Sequence, residues 1–217
     1  MMKYKYILFD LDGTLTEPEE GITKCIQYAL LKLGINEPDR KKLCKFIGPP
    51  LVPAFMEHYG FDEPTARQAL LYYRERFLVK GIYENKVYDG IPKLLKSLKE
   101  AGAVLCLATT KPEPQAKEVM RHFNLAPFFD VIAGSDLNET VVEKPDVMRL
   151  AISRVAEYNP EKAVMIGDRK FDILGAKVHE IDSIGVLYGH GDLEELQNAG
   201  ADCIAESVAE LQKILLR

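Results

Sequence analysis

The stretch that most constrains this chain is Tyr6–Thr16, which reads YILFDLDGTLT. Three apolar residues, Ile7, Leu8 and Phe9, run straight into two carboxylates, Asp10 and Asp12. The run is too short for a helix and fits a strand buried on both faces, as in a parallel sheet. Unpaired carboxylates are costly to bury, so this pair belongs where the strand ends. In open α/β sheets that carboxyl edge is where ligands bind. Gly13 allows a tight turn that a side chain would obstruct. Taken alone, the stretch also reads as a strand followed by an Asp-Gly turn, so the rest of the chain must supply the partners that decide.

After Thr16 the pattern becomes helical. Ile22, Ile26, Ala29, Leu30 and Leu33 share one face of a predicted helix over 17–34. Further helical patterns cover 39–46, 51–59 and 62–79, and no strand is predicted from about Pro18 to Tyr83. From Tyr88 onward helices and strands alternate. Predicted strands are 103–108, 129–133, 163–166, 183–187 and a short 202–204; predicted helices are 91–101, 112–123, 144–158, 171–178 and one at the C-terminus. Alternation of this kind predicts an α/β fold, a doubly wound parallel sheet with right-handed crossovers, carrying an inserted all-helical block. The domains predicted are an α/β core of residues 1–16 and 84–217 and a helical domain of residues 17–83, and 217 residues suffice for both.

The polar residues of interest follow strands or open helices. Asp10 and Asp12 end the first strand, Thr109 the second and Asp168 the fourth; Lys144 opens a helix, and Asp172 lies one turn beyond Asp168. Strand ends of a parallel sheet share one edge, so residues far apart in sequence can converge there. Three carboxylates with a lysine, a hydroxyl and a glycine turn suit phosphoryl transfer assisted by a divalent cation. Asp10 and Asp168 offer the hard oxygen ligands that Mg²⁺ prefers. A carboxylate nucleophile would split hydrolysis into two easier steps, Lys144 and Thr109 would hold the phosphoryl oxygens, and Asp12 would move protons. Each residue also has a plainer role: Thr109 as a helix cap, Lys144 as a solvated side chain, Asp168 and Asp172 as caps at a helix start. Lys111 competes with Lys144 for the phosphate, and spacing alone does not separate them. His58, His122, His179 and His190 show no ligand spacing and read as structural or exposed.

Composition narrows the class. A net charge of −5 without a basic stripe argues against nucleic acid. No run approaches the roughly 20 apolar residues of a membrane span. The acidic pair arrives before a signal-peptide core could form, and the four cysteines form no CxxC pair. They read as free thiols in a reducing compartment. The expectation is a cytoplasmic protein acting on a small molecule, with no nucleic acid or membrane partner; oligomeric state is not legible.

On these residues the chain resembles the haloacid dehalogenase superfamily of phosphatases. FDLDGTLT is similar to that family's first motif, LATTKP to the second, EKPD to the third and GDRKFDILGA to the fourth. The resemblance covers nearly the whole chain and implies that Lys144, not Lys111, is the motif lysine. It implies Asp10 as nucleophile and Mg²⁺ ligand, and Asp12 as acid/base and as a metal ligand through its main-chain carbonyl. It implies Asp168 as a further ligand, and Asp172 as support for the metal or for Lys144. Gly13, Thr14 and Thr110 would bind the phosphate. The helical block is similar to the family's small cap, with hinges at 16–21 and 81–89, and Lys45 in the loop KFIGPP is a candidate substrate contact. FIGPPL, GSDLNETVVEKPD and DSIGVLYGHGDLEELQNAGAD resemble the phosphoglycolate phosphatase-like branch, in its subset labelled 5'-nucleotidase-like. The implied activity is Mg²⁺-dependent hydrolysis of a small phosphate ester. A receiver-type signalling domain gathers a similar acidic cluster and is the alternative; it lacks the helical insertion and the acid/base two residues after the nucleophile.

Overall fold

The computed structural model describes residues 2–136 and 143–217, so part of GSDLNETVVEKPD lies outside the described residues. The chain forms two compact units, Met1–Thr16 with Val87–Arg217, and Glu17–Lys86.

The first unit is built on a six-stranded sheet. Its strands are β1 (Tyr6–Phe9), β4 (Val104–Pro112), β5 (Val131–Ser135), β6 (Ala163–Gly167), β7 (Asp182–Val186) and β8 (Cys203–Ala205). The short strands β2 (Thr16–Glu17) and β3 (Lys86–Val87) form a separate two-stranded sheet where the chain passes between units. The large sheet has the order β5-β4-β1-β6-β7-β8, and its strand pairs are parallel. β1 is fully buried, as its apolar run requires. Tyr6 and Leu8 pack with Val147, Met148 and Ala151 of α6 (Lys144–Ser153) and Ala176 of α7 (Lys170–Val178). Ile7 and Phe9 alternate to the other face, where the Phe9 ring meets Phe129 at 6.1 Å. α4 (Ile91–Glu100) buries Ile91, Leu94, Leu95 and Leu98, the spacing of a one-sided helix. α5 (Glu113–His122), α8 (Leu193–Ala199) and α9 (Val208–Leu215) complete the unit.

The second unit is helical: α1 (Glu19–Lys32), a 3-10 turn at Arg40–Phe46, α2 (Leu51–Tyr59) and α3 (Glu63–Arg76), which widens into a π-turn at Phe77–Gly81. Asp39 and Asp62 cap two of these elements by accepting the N–H groups of Lys41 and Thr65, both at 3.0 Å. Cys25, Ile26, Ala29, Leu30, Leu43 and Phe55 form part of its own core. Arg76 pairs with Glu84 at 2.6 Å, and Lys24 reaches the same carboxylate at 3.1 Å.

The sequence expectation departs from the structure in three helices. The pattern over 39–46 is a 3-10 turn, not an α-helix. α6 stops at Ser153, capped at Arg154, instead of running to Tyr158, and the chain turns again at Glu157, whose φ is 53°. That second turn lays the Tyr158 ring on Tyr6 at 5.2 Å and brings the Glu157 carbonyl to the Tyr6 hydroxyl. α8 was not expected; its seven residues are too few to show a period, although Asp192 caps its start and Gly200 its end.

Leu8 of the central strand sits in the core of the first unit. Replacing Leu8, 1% exposed, with Ala should lower the unfolding free energy by about 2–5 kcal/mol, as for other buried leucines. Urea denaturation followed by circular dichroism measures it, and a loss under about 1 kcal/mol would show that the site collapses around the cavity.

Candidate active site

The chain turns off β1 through Asp10, Leu11 and Asp12, and the turn is closed by backbone hydrogen bonds. The N–H groups of Leu15 and Thr16 donate to the Leu11 carbonyl at 2.9 and 3.0 Å. Gly13 sits at φ 85°, and a Cβ there would strike the Asp168 carboxylate, 2.5 Å from its Cγ. Only glycine meets both demands.

β1 lies between β4 and β6, the point at which the strand order reverses. Asp10 therefore emerges flanked by Thr109 on one side and Asp168 on the other. Carboxylate oxygens of Asp10, Asp168 and Asp172 all lie within 4.8 Å of one another, and all three residues are buried. Lys144, the first residue of α6, joins them. Its ammonium is 2.8 Å from Asp10 Oδ1 and 2.8 Å from Asp172 Oδ1, and it donates to the Ala108 carbonyl at 3.0 Å.

Asp12 pairs with a second lysine. Lys111 Nζ lies 2.5 Å from Asp12 Oδ2, and Lys111 is 8% exposed. A break in register aims it: Thr109 pairs with Gly134 and Pro112 with Ser135, so Thr110 and Lys111 are extra residues on β4. Asp12 Oδ1 is buried with no hydrogen-bond partner among the described residues. Thr109 Oγ1 accepts the Lys111 N–H at 3.2 Å, which leaves the hydroxyl proton to be donated. Thr109 does not cap α5; Pro112 holds that position. Thr110 is half-buried beside it on β4.

Asp168 is gripped by neutral donors. The Thr14 hydroxyl donates to its Oδ1 at 3.4 Å and the His190 N–H to its Oδ2 at 2.7 Å. Thr14 itself is fully buried. Asp172 also accepts the Arg169 N–H at 3.1 Å, the capping bond foreseen for it, so capping and Lys144 share one side chain. Lys45 belongs to the helical unit, where its ammonium lies 5.9 Å from the Tyr59 ring centre.

Electrostatics mark the cluster as short of positive charge. Burial, then the neighbouring Asp172 and Asp10, push the Asp168 carboxyl up to about 7. Burial pushes Asp172 up to about 6 against the pull of Lys144. Burial raises Asp12 too, opposed by Lys111. Burial disfavours the Lys144 charge, but Asp10 and Asp172 outweigh it and hold the ammonium above its usual range. Four carboxylates, Asp10, Asp12, Asp168 and Asp172, face two ammonium groups, Lys111 and Lys144. With all four ionised, the excess would equal the charge of one divalent cation. Hard carboxylate oxygens at this spacing fit such an ion.

Sequence reasoning set Lys111 against Lys144 for a single role, whereas both lysines enter, each on its own carboxylate. It read His190 as structural or exposed, and the His190 main chain holds Asp168. The signal for the latter was the GHG of Gly189–Gly191, two glycines bracketing one residue just after a strand.

The family model for haloacid dehalogenase-like hydrolases matches residues 7–186. A 5'-nucleotidase of Pseudomonas aeruginosa is 46% identical over 99% of this chain and 96% of its own length. Tyrosine-protein kinase PtkA of Mycobacterium tuberculosis is 34% identical over 96% of this chain and 72% of its own. The crystal structure of a predicted phosphatase from Clostridium acetobutylicum is 51% identical, with a TM-score of 0.95 over 98% of each chain. With four motifs at one sheet edge and a match of this extent, the chain belongs to the haloacid dehalogenase-like hydrolases, among that family's phosphatases.

Proposed function

We propose that the chain hydrolyses the monoester of a small phosphorylated metabolite through an aspartyl-phosphate on Asp10. The observation that carries this reading is the buried cluster of Asp10, Asp168 and Asp172, with the Lys144 ammonium paired to Asp10 and Asp172. Asp10, the Asp12 main-chain carbonyl and Asp168 would hold Mg²⁺, with Asp172 fixing Lys144. When bound, the ion supplies positive charge that lets an anionic nucleophile meet an anionic phosphate.

The residues then divide the work. Asp10 attacks phosphorus, and the bond from phosphorus to the leaving oxygen breaks. Asp12, protonated beforehand, gives that oxygen its proton. In the second step Asp12 takes a proton from water as the water attacks the same phosphorus, which frees phosphate and restores Asp10. Lys144 and the Thr109 hydroxyl hold the phosphoryl oxygens, with Gly13 and Thr14 in the turn after Asp12 and Thr110 beside Thr109 on β4 as the further phosphate contacts. Residues 1–16 and 84–217 are the core in this reading and residues 17–83 the cap, where Lys45 is the candidate contact to the leaving group. The substrate class is a nucleoside monophosphate or a compact phospho-acid such as phosphoglycolate, the former favoured by likeness to the Pseudomonas aeruginosa protein. A panel of such esters ranked by kcat/KM identifies it.

Asp10→Asn should lower Mg²⁺-dependent hydrolysis of p-nitrophenyl phosphate by about 10³-fold or more while the fold is kept. Hydrolysis at an unchanged rate would remove Asp10 as nucleophile; a lasting phospho-Asp10 in the natural chain, without turnover, would favour the receiver reading.

Lys144→Met should destabilise the cation-free chain by about 3–5 kcal/mol, the cost of leaving buried charge unpaired. Denaturant unfolding measures it, and an unchanged midpoint would mean that the carboxylates are already protonated.

Asp168 and Asp172 keep protons in the folded chain up to about pH 7 and about pH 6, whereas an unfolded chain releases them near pH 4. The folded state thus binds more protons in this window, so stability of the cation-free chain falls as pH rises from about 4 to about 7. Mg²⁺ should therefore raise the melting temperature more at about pH 8 than at about pH 5, where protons compete for the same oxygens. Equal shifts at both pH values would count against the carboxylates as ligands.

A further inference from the structure

The family match ends at residue 186, the last residue of β7, and the next turn of chain runs back to the site. Six residues, 187–192, join β7 to α8, and Tyr188, Gly189, His190 and Gly191 are the middle four. The His190 N–H donates to Asp168 Oδ2 at 2.7 Å. The Tyr188 hydroxyl donates to the Thr14 carbonyl at 3.1 Å, in the turn that follows Asp12. The same Tyr188 ring meets the Tyr88 ring edge-on at 5.0 Å, and the Tyr88 N–H donates to the Leu15 carbonyl at 3.1 Å.

The approach is as close as backbone allows. A Cβ on Gly189 would fall on the Gly13 carbonyl and 2.6 Å from Asp168 Oδ2; one on Gly191 would fall on the Asp168 carbonyl. Both ends of the loop are anchored. Leu187 N–H donates to Ala205 of β8 at 3.0 Å, and Asp192 caps α8 by accepting the Glu195 N–H at 2.8 Å. Glu195 in turn accepts from Arg169 Nε at 2.9 Å and from the Lys170 N–H at 2.8 Å, the two residues after Asp168.

We infer that the loop Tyr188–Gly191 is a positioning element for the Asp168 carboxylate and thereby sets the chain's affinity for its divalent cation. The inference rests on Asp168 being a ligand, as proposed above. The donors that grip Asp168, the Thr14 hydroxyl and the His190 N–H, are neutral. They fix the direction of the carboxylate and leave its charge for a cation. A connection that merely closed the sheet would have no need of two glycines in contact with one aspartate. Partners that orient a metal ligand in this way typically govern about 10–100-fold in affinity.

The test is a Mn²⁺ titration of the full chain without substrate, with free Mn²⁺ read by electron paramagnetic resonance. Asp168→Asn should abolish binding. Gly191→Ala should weaken it about tenfold or more, and Tyr188→Phe, which removes one hydroxyl and keeps the ring pair, by a few-fold. For both loop variants, the Mg²⁺ concentration for half-maximal turnover should rise while turnover at saturating Mg²⁺ is largely kept, a split that simple loss of stability does not produce. Near-UV circular dichroism checks that each variant folds; if Gly191→Ala does not, Tyr188→Phe decides alone. Loss of binding in Asp168→Asn with natural affinity in the folded loop variants overturns the loop's role and spares the ligand assignment. Natural affinity in Asp168→Asn overturns the ligand assignment, and the loop inference falls with it.

Discussion

The arrangement of the carboxyl edge depends on one ammonium group shared by two carboxylates. Lys144 is 4% exposed, and its ammonium lies equally close to Asp10 and Asp172. Taking such charges out of water costs several kcal/mol for each ion, and only close pairing with further hydrogen bonds offsets it. The Ala108 carbonyl provides one of those bonds, at the point where β4 reaches the edge. The lysine arrives there through helix packing. It opens α6, and α6 lies on α7 closely enough that a Cβ on Gly175 would come within 3.0 Å of Lys144 Cγ. The first residue of one helix and the third residue of the next, Asp172, are thereby brought to the same oxygen-lined space.

The sheet converts this local pairing into a site. Because β1 is flanked by β4 and β6, its end is the one place where the chain winds away in both directions. Asp10, Thr109 and Asp168 come from three neighbouring strands, and no single segment could present all three. The α6–α7 face adds Lys144 and Asp172. The far edge contributes as well: β7 and β8 anchor the loop that reaches back to Asp168.

Legibility in the sequence followed the length of the signal. The parallel sheet was readable because apolar runs of four to six residues recur between helical patterns, and the acidic residues were readable because they stand where those runs stop. Lys144 and Lys111 were both visible as lysines beside a proline, but the part each plays was not. That depends on two extra residues in β4 relative to β5, a fact of pairing that one strand's sequence does not contain. The early end of α6 was hidden for a similar reason, since the chain beyond it packs Tyr158 on Tyr6, a residue about 150 positions earlier. The grip on Asp168 was hidden more deeply, because its donor is the His190 main chain and any residue at that position has an N–H to give.

The two lysines make different demands on their carboxylates. Lys144 is divided between Asp10 and Asp172, so it orients both and neutralises neither fully. Lys111 pairs with Asp12 at 2.5 Å. In the proposed reaction Asp12 must hold a proton in the first step and accept one in the second. Burial favours the protonated form and Lys111 the ionised one, and the two influences oppose each other at the same side chain. A carboxylate under burial alone would give up its proton too reluctantly, and one under Lys111 alone would not carry a proton at neutral pH. With a divalent cation in place and all four carboxylates ionised, these four carboxylates and the two lysines would balance in charge. With Asp12 protonated they carry one positive charge, the state that best receives a phosphate dianion. In the proposed reaction, the proton that Asp12 donates is therefore also the one that would draw a phosphate dianion into the site.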